Sequence, residues 1–350
     1  MMSKIKKIQC ATIVRPMKTT FATSLGAKTC ATSVIVRVTL DDGTVGIGEV
    51  PTSFVLPHET VAAINSIFSE ERRHLIGVPI EEYASFVQIL RGRWPRFHMT
   101  VSGLEVALFR ARLAGQGISE HCRWGAKTKN IETDITIPFI PQMTALNAWL
   151  DRAIRTGFLV YKIKVSGDVA KDLKFVDAIC NRLSNTCENF TIRLDGNQGY
   201  TAASCLTMLE RLEKKKIAVE LFEQPLKHDD YAGFKQLYRR SSVPIIADET
   251  VFCPDDCKRV IDEQLAHGVN IKIAKSGIAD SQEILRLAKK AKLKLMIGCM
   301  TETMVGLSAA IYFAAGTNAF DYIDLDSIHF LHHKNSCDDV TIRGRYYDIK

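Results

Sequence analysis

The stretch FTIRLDGNQGY, residues 190–200, places an aspartate and a glycine-rich turn directly after a short apolar run. Seven further short apolar runs occur between residues 135 and 325, at intervals of about 25–30 residues, and amphipathic helical patterns separate them. Such alternation predicts repeated β-α units with parallel strands. The other runs are Ile135–Ile137, Val160–Val165, Ala218–Glu223, Pro244–Asp248, Val269–Ile273, Leu293–Ile297 and Phe320–Leu325.

Eight strands, each followed by a helix, are the pattern of a (β/α)8-type barrel. Strands of a parallel sheet are buried on both faces and read as continuous apolar runs, as these do. An open doubly wound sheet is the alternative, but eight units are many for such a sheet and no glycine-rich phosphate loop opens the series. We therefore predict an α/β fold with a (β/α)8-type barrel.

The beginning of the chain follows a different, α+β pattern. Residues 33–40 (SVIVRVTL) alternate like a strand, residues 41–43 (DDG) are a turn signal, and residues 45–50 form a second strand. This order predicts a β-hairpin. Helical patterns follow at about residues 59–69, 81–91 and 101–114.

These patterns divide the chain into three predicted regions. The glycines of residues 115–117 end the last early helix, and the strand–helix alternation begins soon afterwards. We predict an α+β capping domain over residues 1–125 and a barrel with the active site over residues 126–325. Residues 326–350 are predicted to form a C-terminal segment that packs back on the capping domain.

Composition excludes several classes of protein. The chain has 350 residues, is 46% hydrophobic and carries a net charge of +7, as an ordinary globular protein does. Its lysine clusters stand at helix ends without the aromatic interleaving of a nucleic-acid site. It shows neither the roughly 20 apolar residues of a membrane span nor a secretory signal, and its ten cysteines are scattered. We expect a cytoplasmic protein with reduced thiols that acts on a small molecule and engages neither nucleic acid nor membrane.

Ionisable residues recur at the ends of the predicted strands. In a barrel these ends form one ring around the active-site mouth, so residues far apart in sequence converge. Residues two apart on a strand share a face, so both lysines of the second strand point the same way. The residues in question are Lys162, Lys164, Asp195, Glu223, Asp248, Lys272, Asp324 and Asp326.

This ring predicts a particular chemistry. Converging carboxylates repel one another and need a cation, and an all-oxygen ligand set suits Mg²⁺. Lysines beside such a site are placed for general acid–base work, and the metal is placed to neutralise an enolate formed next to a substrate carboxylate. Taken alone, each carboxylate could be a helix N-cap and each lysine could lie at the barrel rim without a catalytic role. Because such residues occur at the same position on one strand after another, the catalytic interpretation is favoured.

The motifs YKIKVSG (161–167), RLDGNQGY (193–200), LFEQP (221–225), IADET (246–250) and NIKIAKSG (270–277) together resemble the enolase superfamily. The resemblance is to its muconate-lactonizing subgroup and within that to dipeptide epimerases of the L-Ala-D/L-Glu type. It implies the (β/α)8-type barrel with an N-terminal capping domain, and Mg²⁺ as cofactor. The implied metal ligands are Asp195, Glu223 and Asp248.

The same resemblance implies a mechanism. Lys164 and Lys272 become the two acid/base residues on opposite faces of the substrate carbon, and Lys162 stabilises the carboxylate and the enolate. One lysine removes the proton and the other returns it to the opposite face, which inverts the stereocentre of a dipeptide in a 1,1-proton transfer. The chain is thus expected to be an isomerase.

The substrate pocket is also implied by resemblance. Asp324 and Asp326 resemble the paired aspartates that hold the α-ammonium of a dipeptide, and a buried ammonium does need anionic partners. Thr136 matches the strand-one contact. The end of the seventh strand, with Cys299, Met300 and Thr301, matches the remaining pocket wall.

Two departures concern the capping loops. Residues 16–32 are expected to be a loop over the pocket, and the arginine that meets the glutamate side chain in enzymes acting on Ala-Glu is replaced near Ala22. Lys28 either takes the place of that arginine or, as the sequence favours, is a mobile surface lysine. His58 in the second loop either contacts the substrate or, as is more common for a loop histidine, is solvated. These differences leave open which dipeptide is preferred.

Other interpretations keep part of this scheme. The same residues suit o-succinylbenzoate synthesis, N-acylamino acid racemisation or muconate cycloisomerisation, but an ammonium-binding aspartate pair is out of place for those anionic substrates. A binding protein without catalysis on the same scaffold is a further alternative, which the complete set of catalytic residues disfavours. A homo-oligomer is compatible with the sequence.

Overall fold

The computed structural model describes residues 3–332 and 339–350. Its first sheet is antiparallel, in the order β1 (Ile5–Thr23), β2 (Gly26–Leu40) and β3 (Val45–Pro51). The predicted hairpin is formed by β2 and β3, in which Val34 pairs with Val50. Strand β1 was not predicted, because its residues are rich in lysine, arginine and threonine and do not alternate between apolar and polar.

The expected loop over residues 16–32 is wrong. These residues form the far end of the β1–β2 hairpin, where Ala22 pairs with Ala27 and the chain turns after Thr23. The pairing is irregular between Pro16 and Phe21, so the end of the hairpin is offset from its base.

Helices cover this sheet. They are α1 (Val61–Leu75), a short 3-10 helix (Ile80–Glu82), α2 (Tyr83–Arg93), α3 (His98–Gly115) and α4 (Glu120–Arg123). The side chain of Thr60 caps α1 by accepting from the amide of Ala63. Most of α3 is buried, because it lies between the sheet and the barrel.

Eight parallel strands alternate with helices in the second half, so the predicted barrel fold with its capping domain is confirmed. The strands are β5 (Ile135–Ile137), β6 (Val160–Lys164), β7 (Thr191–Asp195), β8 (Leu221–Glu223), β9 (Ile245–Ala247), β10 (Gly268–Ile271), β11 (Lys294–Gly298) and β12 (Tyr322–Asp324). The helices are α5 (Met143–Thr156), α6 (Val169–Ser184), α7 (Ala202–Lys214), α8 (Tyr231–Arg240), α9 (Pro254–Asp262), α10 (Ile273–Lys290), α11 (Met304–Thr317) and α12 (Ser327–Phe330).

The first and last barrel strands, β5 and β12, meet through single hydrogen bonds. The amide of Asp134 donates to the carbonyl of Ile323 at 3.3 Å, and the amide of Leu325 donates to the Thr133 hydroxyl at 2.7 Å. These bonds bring the two ends of the eight-stranded sheet together. The carboxyl ends of all eight strands therefore surround one mouth.

The C-terminal residues form a small third sheet. Strands β13 (Val340–Arg343) and β14 (Tyr346–Ile349) form a hairpin, and β14 also pairs with β4 (Asn130–Glu132). The Tyr347 hydroxyl donates to the carbonyl of Leu325, close to the end of β12. The division into residues 1–125, 126–325 and 326–350 stays a prediction.

Buried polar contacts join the capping domain to the barrel. The Glu49 carboxylate accepts from the amides of Thr303 and Gly306, so a residue of β3 caps the start of α11. The Arg110 guanidinium donates to the carbonyls of Ile47 at 3.0 Å and Val305 at 2.6 Å. These contacts fix the position of the capping domain relative to the barrel mouth.

No described helix combines the length and apolar character needed to cross a bilayer.

Close packing of β3 on α3 yields a stability prediction. A Cβ added at Gly48 would overlap the carbonyl oxygen of Gly103, which belongs to a rigid helix, whereas a Cβ added at Gly92 meets nothing within 4 Å. We expect Gly48→Ala to lower the free energy of unfolding by about 1–3 kcal/mol, the usual cost of overpacking. Gly92→Ala, in the last turn of α2, should be neutral or slightly stabilising. Urea unfolding followed by circular dichroism tests this, and equal stability of the two variants would contradict it.

Candidate active site

Two lysines of strand β6 point into the barrel mouth. The Lys164 ammonium donates to Asp195 at 2.5 Å, and the Lys162 ammonium lies 3.5 Å from Asp195 and 3.2 Å from Glu223. Lys162 also donates to Asp324. Both side chains are buried, which lysines tolerate only when paired. The prediction that both ammonium groups share one face is confirmed by these contacts.

Burial and neighbouring charges act in opposite directions on Lys162. Burial alone would lower its pKa, but the charges of Asp324 and Glu223 outweigh this effect and raise the pKa well above its ordinary value. Lys162 is therefore a permanent positive charge at the mouth.

Three buried carboxylates lie on three consecutive strands. Asp195 ends β7 and Glu223 ends β8, where the two are direct partners in the ladder, and Asp248 follows the last residue of β9. Glu223 accepts from the side-chain amide of Asn270 at 2.6 Å. Parallel pairing of these strands is what brings the three side chains to one edge.

Two further lysines hold Asp248. The Lys272 ammonium lies 2.6 Å from one carboxylate oxygen, and the Lys275 ammonium lies 2.6 Å from the other. Burial would raise the pKa of Asp248, but these two charges outweigh it and hold the pKa below its ordinary value. Because Lys272 follows β10 and Lys164 ends β6, the two lysines flank the strands that carry the three carboxylates.

The carboxylates of Asp195, Glu223 and Asp248 are chemically suited to bind a hard divalent cation. All three carboxylates are buried, and burial together with the charge of Asp195 raises the pKa of Glu223 to about 8, so the group is short of positive charge. Their oxygens are not gathered into one shell, because the flexible amines of Lys162 and Lys272 lie among them. An all-oxygen set of this kind suits Mg²⁺.

A second acidic group lies at the end of β12. Among the residues that the structure describes, only Asp134, Asp324 and Asp326 bring ligand oxygens within 4.8 Å of one another. The Arg193 guanidinium neutralises Asp134 at 2.7 Å, and Asp326 accepts from the amide of Thr136 at 2.6 Å. Burial and the charge of Asp324 raise the pKa of Asp326 to about 6. This group therefore attracts a further cation.

A cleft of about 670 Å³ connects these groups with the capping domain. Ten of the twelve predicted site residues line it, while Asp195 and Glu223 lie beneath, in contact with Lys162. The ten are Thr136, Lys162, Lys164, Asp248, Lys272, Cys299, Met300, Thr301, Asp324 and Asp326. The roles given to these residues stay predictions.

Sequence reasoning missed several residues of the site. Lys275 is fully buried against Asp248, and its place three residues after Lys272 on the following helix was the signal that could have revealed it. Asn197 and Glu249 also line the cleft, and the Asn197 side-chain amide donates to Glu249 at 3.3 Å. Glu249 directly follows Asp248 and Asn197 lies two residues after Asp195, so both were visible in the motifs.

One expectation about the capping segments was wrong. Lys28 is not a mobile surface lysine but lines the cleft together with Phe21 and Phe54. His58 lies in its loop, partly exposed to solvent, where its imidazole is bonded to the carbonyl of Arg96 at 2.6 Å and its ring packs edge-on against Phe97. The error over Lys28 arises because its contacts come from distant parts of the chain.

Comparison with known proteins agrees with this geometry. Residues 145–349 match the family model described as Enolase C-terminal domain-like. The L-Ala-D/L-Glu epimerase of Francisella tularensis subsp. novicida is 30% identical over 94% of this chain and 92% of its own length. The aromatic dipeptide epimerase of Herpetosiphon aurantiacus is 31% identical over 95% of this chain and 92% of its own length.

A solved structure extends the comparison to three dimensions. The dipeptide epimerase of Enterococcus faecalis V583, complexed with Mg and the dipeptide L-Leu-L-Tyr, superposes with a TM-score of 0.89. It is 25% identical and the match covers 99% of this chain and 97% of that one. The two sequence relatives are about equally similar to this chain yet are named for different dipeptides, so overall similarity does not decide the preferred side chain.

Glu302, next to the pocket residue Thr301, yields a pH prediction. Burial and the charge of Glu49 raise its pKa from 4.5 to about 8. Between these pH values the folded protein keeps a proton that the unfolded chain releases, so this group makes folding less favourable as pH rises. Gln at this position is neutral at every pH and can still accept from the amide of Met300, as Glu302 does at 2.8 Å.

We therefore expect Glu302→Gln to raise Tm relative to the original protein by an amount that grows from pH 5 to pH 8. For a chain of 350 residues, each 1 kcal/mol is worth roughly 1–2 °C in Tm. Differential scanning calorimetry at several pH values measures the difference. Glu210→Gln, on the exposed face of α7, is the control and should show no such growth. A Tm difference that is constant with pH would rule out the shifted titration.

Proposed function

This chain belongs to the enolase superfamily, and from that membership we propose that it is a Mg²⁺-dependent dipeptide epimerase. The observation that carries the proposal is the arrangement of Lys164 and Lys272 on either side of the strands bearing Asp195, Glu223 and Asp248. Two amines that flank one reacting carbon are the minimum needed to remove a proton from one face and return it to the other.

Asp195, Glu223 and Asp248 would hold the Mg²⁺. The bound ion supplies positive charge that stabilises the developing enolate and makes the Cα proton of the substrate more acidic. Lys162 would contribute a second positive charge to the substrate carboxylate, since its ammonium lies 3.2 Å from Glu223 and also reaches Asp324. The fixed charge of Lys162 thus serves both substrate binding and the enolate.

The charges around Lys272 set its state at the start of the reaction. Burial would lower the pKa of Lys272, but the charges of Asp248 and Glu223 outweigh this and raise it above its ordinary value. Held in this way, Lys272 is protonated and acts as the acid. It becomes a base once its contact with Asp248 is released, so that it removes the proton from the opposite stereoisomer.

Asp324 and Asp326 would receive the α-ammonium of the dipeptide. Both carboxylates are buried, Lys162 pairs with Asp324, and burial together with the charge of Asp324 raises the pKa of Asp326 to about 6, so a further positive charge beside Asp326 would be favoured. A substrate ammonium would supply that charge and make charge-assisted hydrogen bonds. The pair also disfavours o-succinylbenzoate, N-acylamino acids and muconate, which are anionic and carry no ammonium group at that position.

Two further features belong to the proposal. We infer that the protein works in the cytoplasm, where the free cysteines of its described residues would stay reduced. A homo-oligomeric state stays a prediction.

The first test follows the two lysines separately. The protein is incubated with Mg²⁺ and single stereoisomers of a dipeptide library in D₂O, and deuterium at Cα is measured by mass spectrometry. We expect Lys164→Ala and Lys272→Ala each to reduce epimerisation by about 10²–10⁴-fold. Each variant should retain exchange with one stereoisomer, the opposite one in the two cases.

Lys171→Ala is the control, because that lysine is exposed on α6. Its epimerisation rate should equal that of the original protein. Unaltered turnover in either catalytic variant contradicts the assignment of the lysines. If the original protein incorporates deuterium into no dipeptide, the proposed reaction is wrong.

The second test addresses ammonium recognition. Asp326→Asn removes one negative charge but retains an oxygen that can accept from the amide of Thr136. We expect kcat/KM for a free dipeptide to fall roughly 10- to 100-fold, the cost of a charge-assisted hydrogen bond. The N-acetylated dipeptide lacks the ammonium and should be a poor substrate of both proteins, with little difference between them. An equal loss for both substrates would assign Asp326 a purely structural role.

A further inference from the structure

The segment directly after Lys272 does not continue as a regular helix. The amides of Lys275 and Ser276 both donate to the carbonyl of Lys272 at 3.0 Å, which closes a tight turn on the lysine itself. Gly277 then interrupts the helix, with φ of 73° and ψ of −166°, before α10 continues. A positive φ of this kind favours glycine. The position of this turn therefore fixes the backbone from which the Lys272 side chain departs.

Two polar side chains of the capping domain hold this turn from outside the barrel. The Arg91 guanidinium, from α2, donates to the carbonyl of Ser276 at 2.6 Å. The Ser102 hydroxyl, from α3, donates to the carbonyl of Ile273. Both carbonyls belong to the few residues that follow Lys272, so the capping domain contacts the backbone that carries this lysine.

A third side chain, Glu105 of α3, completes the group. One carboxylate oxygen accepts from the amide of Ala279 at 2.9 Å, where the helix resumes after Gly277, and the other lies 2.9 Å from the Arg91 guanidinium. A Cβ at Gly277 would overlap this carboxylate, so the glycine also permits the close approach. Glu105 is buried, and a buried carboxylate is stable only when it is paired and hydrogen-bonded. The Glu105 carboxylate therefore stabilises the turn and is itself satisfied only when the turn is in place.

The other proposed acid/base lysine is held differently. After Lys164, the amides of Ser166 and Gly167 each donate to the carboxylate of Asp172 at 2.9 Å. Asp172 lies on α6, which belongs to the barrel. The backbone after Lys164 is thus fixed from within the barrel, whereas the backbone after Lys272 is fixed by the capping domain.

We propose that Arg91 and Glu105 are positioning residues for Lys272, because they hold the turn of residues 273–279 and thereby place its amine at one face of the substrate carbon. The inference rests on the proposed epimerase function and extends it to the capping domain. Displacement of a reacting group by about 1 Å can cost roughly 100-fold in rate. Loss of either residue should therefore slow proton transfer at the face that Lys272 serves and spare the face of Lys164.

The experiment compares the two stereoisomers of one dipeptide that the original protein exchanges in D₂O. Each is incubated at saturating Mg²⁺, because Lys275 on the same turn contacts Asp248 and a lower metal affinity would slow both reactions alike. Deuterium in the recovered substrate, separated from its product, gives kcat and KM for proton removal. The stereoisomer that Lys272→Ala no longer exchanges identifies the face that Lys272 serves.

We expect Arg91→Ala and Glu105→Ala to lower kcat roughly 10- to 100-fold for that stereoisomer and to change it little for the other. KM should change little for both. Glu105→Gln retains an oxygen that can accept from the amide of Ala279 and should recover part of the lost rate. If Glu105→Ala does not fold, Arg91→Ala and Glu105→Gln carry the comparison.

Arg93→Ala is the matched control. Arg93 lies on the same helix as Arg91 and also pairs with a buried carboxylate, that of Glu71 at 2.7 Å, but this partner belongs to α1 of the capping domain. Removing Arg93 disturbs a comparable ion pair without touching the turn after Lys272. The ratio of the two exchange rates should therefore equal that of the original protein.

A second measurement tests the contact without substrate. Hydrogen–deuterium exchange of backbone amides, followed by mass spectrometry, reports how firmly residues 273–281 are held. These amides should exchange faster in Arg91→Ala and Glu105→Ala than in the original protein or in Arg93→Ala.

The outcomes separate this inference from the function on which it rests. An equal loss of rate for both stereoisomers assigns Arg91 and Glu105 a general structural role and refutes the inference, while the epimerase function stands. Unchanged amide exchange over residues 273–281 refutes it as well. If the original protein exchanges no dipeptide, the proposed function fails and the inference fails with it, whatever the amides show.

Discussion

The structure depends on charge compensation inside the barrel mouth. Asp195, Glu223 and Asp248 are buried on neighbouring strands, where carboxylates are stable only beside positive charge. Lys162 and Lys272 supply part of it, and the raised pKa of Glu223 shows that the supply falls short. This shortfall suits the site to a divalent cation, and in the proposed function the amines that compensate the carboxylates also act on the substrate.

The capping domain turns this charged ring into a selective pocket. Glu49 caps helix α11 of the barrel, and Arg110 spans the carbonyls of Ile47 and Val305, so the sheet of the capping domain cannot slide over the mouth. The end of the β1–β2 hairpin then lies above the strand-seven loop, where Lys28 reaches Thr301. In the proposed function, the barrel therefore provides the chemistry and the capping domain contacts the variable part of the substrate.

Acidic groups at the two ends of the cleft have different partners. In the group around Asp324, Arg193 pairs with Asp134 and Lys162 pairs with Asp324, while Asp326 accepts from the amide of Thr136. The group around Asp248 is held by Lys272 and Lys275. In the proposed function, the first group would receive the substrate ammonium and the second would hold the metal.

The sequence by itself determined the eight barrel strands and the convergence of their charged ends, because parallel strands in a closed sheet end at one rim and the short motifs mark those ends. It also determined the β2–β3 hairpin from local alternation and a turn signal. Only the tertiary structure decided the burial of Lys28, the pairing of Lys275 with Asp248 and the hairpin over residues 16–32. Those features depend on where a side chain stands relative to a distant segment, and no local periodicity encodes that relation.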